Sequence, residues 1–522
     1  MANRTSNSIK NIASNLGLKV LLLGLQFATR TIFINSLGTI YNGINSLITS
    51  ILSFLNIAEL GIGSAIVFAM YKPVAEKDEE KTLQYLDYYK KIYHLLGFIV
   101  AAIGLIIAPF LPLLMRDALE EINIWEMYVI YGLYLLSSVS SFFVYAYRGG
   151  LITANQHDYR LSPINYTASV LIVIAQGASL IIFDGIFSFY VYVALPIVIS
   201  IVRSLLNGVF ASKWYPYIRR KPEGKLSKQE IKNLYKNVYG IAISKTCIII
   251  NNSVDSIIIS AIVGVALLGK YYNYQTLILM VGSFVGILFS SLTPSVGNLN
   301  AEATREHKKK IFDTVHFISF WIYGFCAVCY FLIVQPFVKI WIGEENVIHD
   351  LVMIFVVCLN FLTNGLCSAV GIFREGCGLF YQGRYRPIFT VLFNIGFSIL
   401  LGYFLGITGI IFATVISRFV TIWWYDAYIV YKYQFNEKPY RYLADYLFKT
   451  LFVCCVGAGL YLISTVLPFS GWLQLIVNAI IVVLGFNVIF VVCFFKTRGF
   501  RYLIEFAMSF VNRLLKIKAE KE

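Results

Sequence analysis

Charge is in short supply in this chain, and acid most of all: 28 Asp and Glu stand against 43 Lys and Arg in 522 residues, and charged residues make up 14% of the whole. Soluble domains carry about 25%, so a globule wrapped in a polar skin is excluded. Histidine is rarer still. His94, His157, His307, His316 and His349 show no helical pairing, and Cys326 and Cys329 lie midway along an apolar run where compact packing accounts for them. No metal centre and no other cofactor is expected. Long polar loops are missing too. The longest one assigned to the outer face, about 335 to 349, is too small for a catalytic domain, so an enzyme is not expected. Nor does the start of the chain read as a cleavable signal, because its first apolar run is long, carries Lys19 and Arg30, and lacks a small-residue cleavage site.

What fills the chain instead is apolar sequence, with 58% hydrophobic residues and a mean hydropathy of +0.72. Runs of 18 or more mostly apolar residues recur almost from end to end, each able to cross a hydrocarbon core of roughly 30 Å as a helix. Fourteen spans are predicted. The first two cover about 13–36 and 41–70, the sixth 187–212, the seventh 237–264, the twelfth 408–430, and the last two 447–467 and 471–495. With the N-terminus inside, 35 of the 43 cations fall on the cytoplasmic side, counting Lys449 at the inner edge of the 447–467 span among them, three (Arg116, Lys270 and Lys339) outside, and five within spans. That is the positive-inside bias, and it places both termini in the cytoplasm. The net charge of +15 is then a basic rim facing anionic headgroups and needs no nucleic acid.

One phrase is written twice. Arg148-x-Gly150-x5-Gln156-x2-Tyr159-Arg160 returns as Arg374-x-Gly376-x5-Gln382-x2-Tyr385-Arg386, 226 residues later. The same shift sets Lys19 on Lys245 and Gln26 on Asn252. A shift of 231 sets Leu37-Gly38-x-x-Tyr41-Asn42 on Leu268-Gly269-x-x-Tyr272-Asn273, and a five-residue length difference in one outer turn would reconcile the two. Internal repetition of this kind in a membrane protein builds two bundles around a central path. The expected fold is therefore all-α and polytopic, with about 14 transmembrane helices: two parallel six-helix repeats around a central cavity plus two appended helices. The expected domains are an N-terminal six-helix lobe at 1–212, a mobile basic cytoplasmic linker at 213–236, a C-terminal six-helix lobe at 237–430, two additional helices at 431–495, and a cytoplasmic amphipathic tail at 496–522. Within the linker Ser227-Lys-Gln-Glu230 reads as a capping box that restarts a helix. The two additional helices are expected to be uncharged, and in the tail Leu503, Phe506, Phe510, Leu514 and Ile517 recur at helical spacing opposite Arg513, Lys516 and Lys518.

Charges inside the membrane cost roughly 2.5–3.5 kcal/mol each, so the few that remain are candidate functional residues. Asn15, Lys19, Gln26 and Arg30 form one polar stripe on the first span, about 22 Å long at 1.5 Å per residue. The seventh span answers with Lys245, Asn252, Asp255 and Ser256, and the sixth and twelfth carry Arg203 and Arg418. Two cationic walls facing one cleft would suit a phosphate or diphosphate, for which Arg offers bidentate hydrogen bonds. The competing reading is that Lys19 snorkels to the interface and that Glu59 and Asp255 simply neutralise neighbouring cations. In the sharper reading those two carboxylates hold a coupling proton or sodium ion.

The phrases Leu55-Asn-Ile-Ala-Glu59-Leu-Gly61-Ile-Gly63-Ser64-Ala65 and Tyr71-Lys-Pro73-Val-Ala75-Glu76, with the repeated phrases above, resemble bacterial polysaccharide flippases of the Wzx type. These belong to the multidrug/oligosaccharidyl-lipid/polysaccharide exporter superfamily, and the resemblance covers about 1 to 430. It implies two lobes rocking around a cavity and an undecaprenyl-diphosphate-linked oligosaccharide as cargo, carried from the cytoplasmic to the outer face. Membrane lipids, glycosyltransferases and a polysaccharide polymerase are the implied partners. Lys19, Gln26, Arg30, Arg203, Lys245, Asn252 and Arg418 would then line the substrate cavity, with Glu59 and Asp255 pairing charge or coupling an ion. The alternatives are a peptidoglycan lipid-precursor flippase, a multidrug exporter of the same superfamily, whose cavity should be acidic, and a membrane glycosyltransferase or polymerase, which should present acids or a large loop at the outer face.

Overall fold

A computed structural model describes residues 2–504 apart from 145, 156, 294, 295, 298, 300–303, 380 and 503. Side chains of 2–20, 58–61, 64, 65, 146, 158, 233 and 235–245 lie outside the described set. The described chain is helical almost throughout, as the apolar runs require of backbone that must satisfy its own polar groups in lipid. In order the helices are α1 (Ala2–Leu55), α2 (Ile57–Ala75), α3 (Glu79–Ile107), α4 (Ile124–Phe143), α5 (Ala146–Ala154), α6 (Asp158–Ile182), α7 (Gly185–Trp214), α8 (Lys228–Ile262) and α9 (Val265–Ser290). They continue with α10 (Arg305–Ile342), α11 (Leu351–Leu366), α12 (Ser368–Gly376), α13 (Arg386–Arg418), α14 (Trp424–Val430), α15 (Tyr440–Val466), α16 (Gly471–Ile480) and α17 (Asn487–Phe494). Among the described residues nine helical stretches are long and apolar enough to cross a membrane, or ten if the bent pair α4 and α5 is one span.

Several helix starts and turns follow from local chemistry. Asp78 caps α3 by accepting from the Lys81 amide at 2.8 Å, and Asp350 caps α11 by accepting from the Val352 and Met353 amides. The Ser227–Glu230 capping box of α8 forms as the sequence predicts: the Glu230 amide donates to Ser227 Oγ at 3.2 Å and the Ser227 amide to Glu230 Oε2 at 2.9 Å. Glycine makes the sharp turns. Gly38 breaks α1 at φ 84°, and Gly264, 226 residues later, separates α8 from α9 at φ 115°, both in the region L side chains avoid. Gly269, the sequence partner of Gly38 under the 231 shift, instead lies inside α9, so the turn itself keeps the 226 spacing. Gly406 (φ 59°) divides α13. A Cβ on Gly409 would stand 2.1 Å from the Leu401 carbonyl oxygen, although eight helical residues span about 12 Å; the chain doubles back there.

The chain forms two compact units, Met1–Tyr272 and Asn273–Glu522. In the first, α6 and α7 pack together, α1 lies along α6, α2 lies along α8, and α3 and α7 both flank α4. Lipid offers no hydrophobic drive between helices, so close approach of small residues and polar contacts hold them. Thr29 donates to the Val173 carbonyl at 3.1 Å, and α1 meets α9 at Gly43 and Gly269, where a Cβ on either would come within 2.0 Å of a backbone oxygen opposite.

In the second unit α10 is the hub for α11, α15 and α16. Gly365 of α11 lies against the Tyr323 ring, Asn478 of α16 donates to the Leu332 carbonyl at 2.9 Å, and Phe317, Phe320, Phe490 and Phe494 form one aromatic cluster. The expectation that the last two spans carry no charge is corrected here. Lys449 lies within 447–467 itself, and because α15 begins at Tyr440 it shares the helix with Asp445: Lys449 is buried at 5% exposure and bonded to Asp445 at 2.6 Å, which also meets His316 at 3.1 Å. The amphipathic pattern from Leu503 to Ile517 lies outside the described residues, except at 504.

Candidate functional site

The polar stripe of the first span reaches the described structure at Gln26 and Arg30. Gln26 is exposed and Arg30 half-buried on α1. The Arg30 guanidinium stands over the Tyr272 ring, 4.3 Å from its centroid, a cation–π contact whose strength grows when water is excluded. Tyr192 also faces it, completing an electron-rich collar, and Tyr134 stands close to both Tyr192 and Tyr272. Tyr134 in turn donates to Asn45 Oδ1, and Phe33 and Phe189 back the Tyr192 ring. A guanidinium carries five N–H donors in a fixed fork, a geometry matched to phosphate and carboxylate anions. Nothing in the sequence period singled out these tyrosines; the one available signal was Tyr272 within the repeated Leu-Gly-x-x-Tyr-Asn phrase.

One end of this unit is tied shut around the same helices. Asn42 donates to the Gly269 carbonyl at 2.8 Å, Ser260 donates to the Leu114 carbonyl, and Asp117 accepts from the Val265 and Ala266 amides at 3.0 and 2.7 Å. Asp117 thereby caps α9, satisfying amides that have no partner within the helix. Gly264 is needed at this spot twice over, since its φ is positive and a Cβ would come 2.8 Å from Asp117 Oδ2.

The remaining candidates separate. On α8 Asn252 is exposed and Asp255 half-buried. Arg203, half-exposed on α7, makes no hydrogen bond or ion pair among the described residues. Arg418, in the second unit, is only 8% exposed, and its Nη1 donates to the Asn360 carbonyl at 3.0 Å and Thr363 Oγ1 at 2.7 Å. That geometry makes it a brace between α13 and α11. The side chains of Lys19, Glu59 and Lys245 lie outside the described set.

The duplicated phrase has a local task in each unit. Arg148 donates through Nη1 to Ser212 Oγ at 2.7 Å and the Gly208 carbonyl at 3.2 Å, and Arg160 stacks against Trp214, so both arginines hold the end of α7. Arg374 and Arg386 both reach Asp426 of α14, each at 3.3 Å. Sequence reading found the repetition and missed Asp426, because the first copy meets a serine and an indole where the second meets an acid.

The long apolar helices, the intramembrane polar contacts and the collared arginine define a multi-pass membrane protein with the fold of MATE-type transporters. At 13% identity and a TM-score of 0.60 the structure is similar to the inward-facing conformation of a multidrug resistance MATE family transporter of the MOP superfamily, covering 83% of this chain and 95% of that one. At 14% identity and a TM-score of 0.64 it is similar to lipid II flippase MurJ in an inward closed conformation, covering 93% and 98%. A search of curated proteins finds no match. The profile of the polysaccharide biosynthesis protein family matches residues 8–300, and the chain belongs to that family.

Proposed function

We propose that this protein is a flippase that carries undecaprenyl-diphosphate-linked oligosaccharide repeat units from the cytoplasmic to the outer face of the plasma membrane, by alternating access, for polysaccharide biosynthesis. The observation that carries the reading is the family match over 8–300, a stretch that includes Arg30 and its tyrosine collar. A diphosphate crossing hydrocarbon needs donors inside the protein to replace water, and the Arg30 guanidinium is assigned as one of them. The tyrosine faces offer a surface on which sugar rings could lie. Likeness in fold to a protein described as a lipid II flippase supports a lipid-linked cargo, and transport rather than catalysis. The contacts of Asp117, Ser260 and Asn42 belong, under the charge-based orientation, to the outer end of the first unit. They would have to part in an outward-open state. Lys19 and Lys245 are assigned to the same cationic path, and Glu59 and Asp255 to charge pairing or to a coupling proton or sodium ion.

The test is reconstitution in liposomes with a short-chain diphosphate-linked oligosaccharide sealed inside, scoring access of an external glycosidase. Acceleration by the wild-type protein and its loss in Arg30→Ala are expected. No acceleration under either a proton or a sodium gradient would overturn the cargo assignment.

A further inference from the structure

The segment linking α7 to α8 is not the mobile tether its composition suggests, and the way it is fixed leaves a site. Glu80, in the first turn of α3, accepts from the Glu223 and Gly224 amides at 2.8 and 3.2 Å. Lys81 reaches Glu230 at 2.7 Å, and Ile218 and Leu226 are buried anchors. Gly224 passes so close to Gln84 that a Cβ would come 2.9 Å from its amide nitrogen. The folded segment and the base of α3 enclose a cavity of about 680 Å³, with Tyr147 and Arg148 on its wall.

The carboxylates nearest the cavity are largely committed to building it. Glu80 and Glu230 hold the segment, and Asp87 is bonded to Lys91. Glu223 is the one other acid on the wall. Against it stand Lys90, Arg219, Arg220, Lys221 and Lys225, for which no carboxylate lies within ion-pair distance among the described residues. An ordered concave wall of uncompensated cations, two of them arginines able to grip phosphate bidentately, is a pre-organised anion site. Its surroundings identify the anion further. Lys91, Leu95 and Phe98 follow one another at i, i+4 and i+7 on α3, on one face, and Leu95 and Phe98 are exposed large apolar side chains on a helix long enough to cross the membrane. The cavity therefore opens beside a surface suited to acyl or isoprenyl chains.

We propose that this cavity binds the phosphate-bearing headgroup of an anionic lipid whose chain lies along Leu95 and Phe98. None of its walls comes from α1, α4, α7 or α9, the helices that carry Arg30, Tyr134, Tyr192 and Tyr272, so the site is separate from the Arg30 collar. The lipid can come from two sources with this shared chemistry, a bulk phospholipid or an isoprenyl diphosphate.

The experiment measures Kd for the full-length protein in neutral-detergent micelles with four probes: dioctanoyl phosphatidylglycerol, farnesyl diphosphate, inorganic pyrophosphate and, as control, dioctanoyl phosphatidylcholine. The comparison is with the triple variant Arg219→Gln, Arg220→Gln, Lys221→Gln, whose changes fall on exposed positions, and with Arg219→Lys, Arg220→Lys as a charge-preserving check. At least a tenfold loss of affinity for an anionic lipid in the triple variant, with smaller loss in the lysine variant, is expected, and the tighter of the two lipids names the source. Pyrophosphate binding as tightly as either lipid would overturn the chain-binding part and leave a phosphate site. Equal Kd values in wild type and triple variant would overturn the proposal. Because the readout is binding, its failure is distinct from failure of the translocation assay.

Discussion

Arg374 reaches Asp426 across 3.3 Å, joining α12 to α14 inside the second unit. Arg386 meets the other carboxylate oxygen at the same distance, and Asp426 is only 4% exposed. Removing one partner of a buried ion pair costs about 3–5 kcal/mol, because the remaining charge has lost its compensation. Asp426→Ala should therefore lower the thermal midpoint of the purified protein strongly. Ser212→Ala in the first unit removes only one neutral acceptor, and Arg148 keeps the Gly208 carbonyl, so a loss of about 1 kcal/mol is expected. Paired melting curves in one detergent check both, and equal losses would show that the two copies of the phrase do not differ in energetic weight.

The crossing of α1 and α9 at Gly43 and Gly269 sets a second test. A Cβ on Gly269 would stand 2.0 Å from the Thr39 carbonyl oxygen, and that atom is backbone and cannot swing aside. Gly269→Ala should force the helices apart and break the Asn42 hydrogen bond to the Gly269 carbonyl. Gly286→Ala, on the same helix with nothing within 4 Å, should leave the protein unchanged or slightly stabilised through helix propensity. Midpoint measurements on the two variants decide this.

Asp117 offers a handle on the conformational equilibrium. Losing an N-cap costs about 0.5–2 kcal/mol, and if the cap exists only when that end of the first unit is closed, Asp117→Ala shifts the closed-to-open ratio by the same energy, about 2- to 30-fold. The check is the rate at which a membrane-impermeant thiol reagent labels a cysteine placed at Ser260, whose hydroxyl is bonded in the closed end. Unchanged labelling would mean that the cap is not broken during opening.

Acid should loosen the segment between α7 and α8. The Lys81 ammonium, hydrogen-bonded to Glu230, and then the Ser227 amide hold that carboxyl well below its ordinary 4.5, at about 2. A depressed carboxyl contributes stability that is full above its unfolded value and is lost as pH falls through its folded value. The difference in midpoint between wild type and Glu230→Gln should thus stay constant from neutral pH down to about 4.5 and shrink between about 4.5 and about 2. The effect is small, since the pair is solvent-screened. A difference that shrinks above pH 5 instead would assign it to another group.

These elements also mark what could be read from residues alone. Capping at Ser227 was legible because it is local, with partner and target three residues apart. Turn glycines were legible as a repeat, but not which copy turned: Gly38 and Gly264 both turn at positive φ, while Gly269 fills a helix crossing. Arg418 and Arg30 looked alike in sequence, each an arginine in an apolar run. Spacing along one helix fixes the face of a side chain and says nothing of what stands opposite, and Arg418 faces the Asn360 carbonyl and Thr363 where Arg30 faces aromatic rings. Lys449 stands two residues inside the thirteenth predicted run, and its partner Asp445 lies just before that run; because α15 begins at Tyr440, both belong to one helix and pair at i, i+4.

That contrast between the two arginines yields the sharpest prediction. If Arg30 holds the cargo's diphosphate, Arg30→Ala should abolish accelerated translocation while the protein still inserts and folds, since the cation–π contact to Tyr272 that it loses is worth about 0.5–2 kcal/mol. Arg30→Lys keeps the charge but loses the bidentate geometry, and should retain part of the rate. Arg418→Ala should behave the other way round. It leaves Thr363 Oγ1 and the Asn360 carbonyl without their donor at a site 8% exposed, costs about 1–3 kcal/mol of stability, and reduces transport only in proportion to the folded protein recovered. Transport rates normalised to folded protein separate the two. Equal normalised losses would place Arg418 on the path as well, whereas a normal rate in Arg30→Ala would remove the collared arginine from the mechanism.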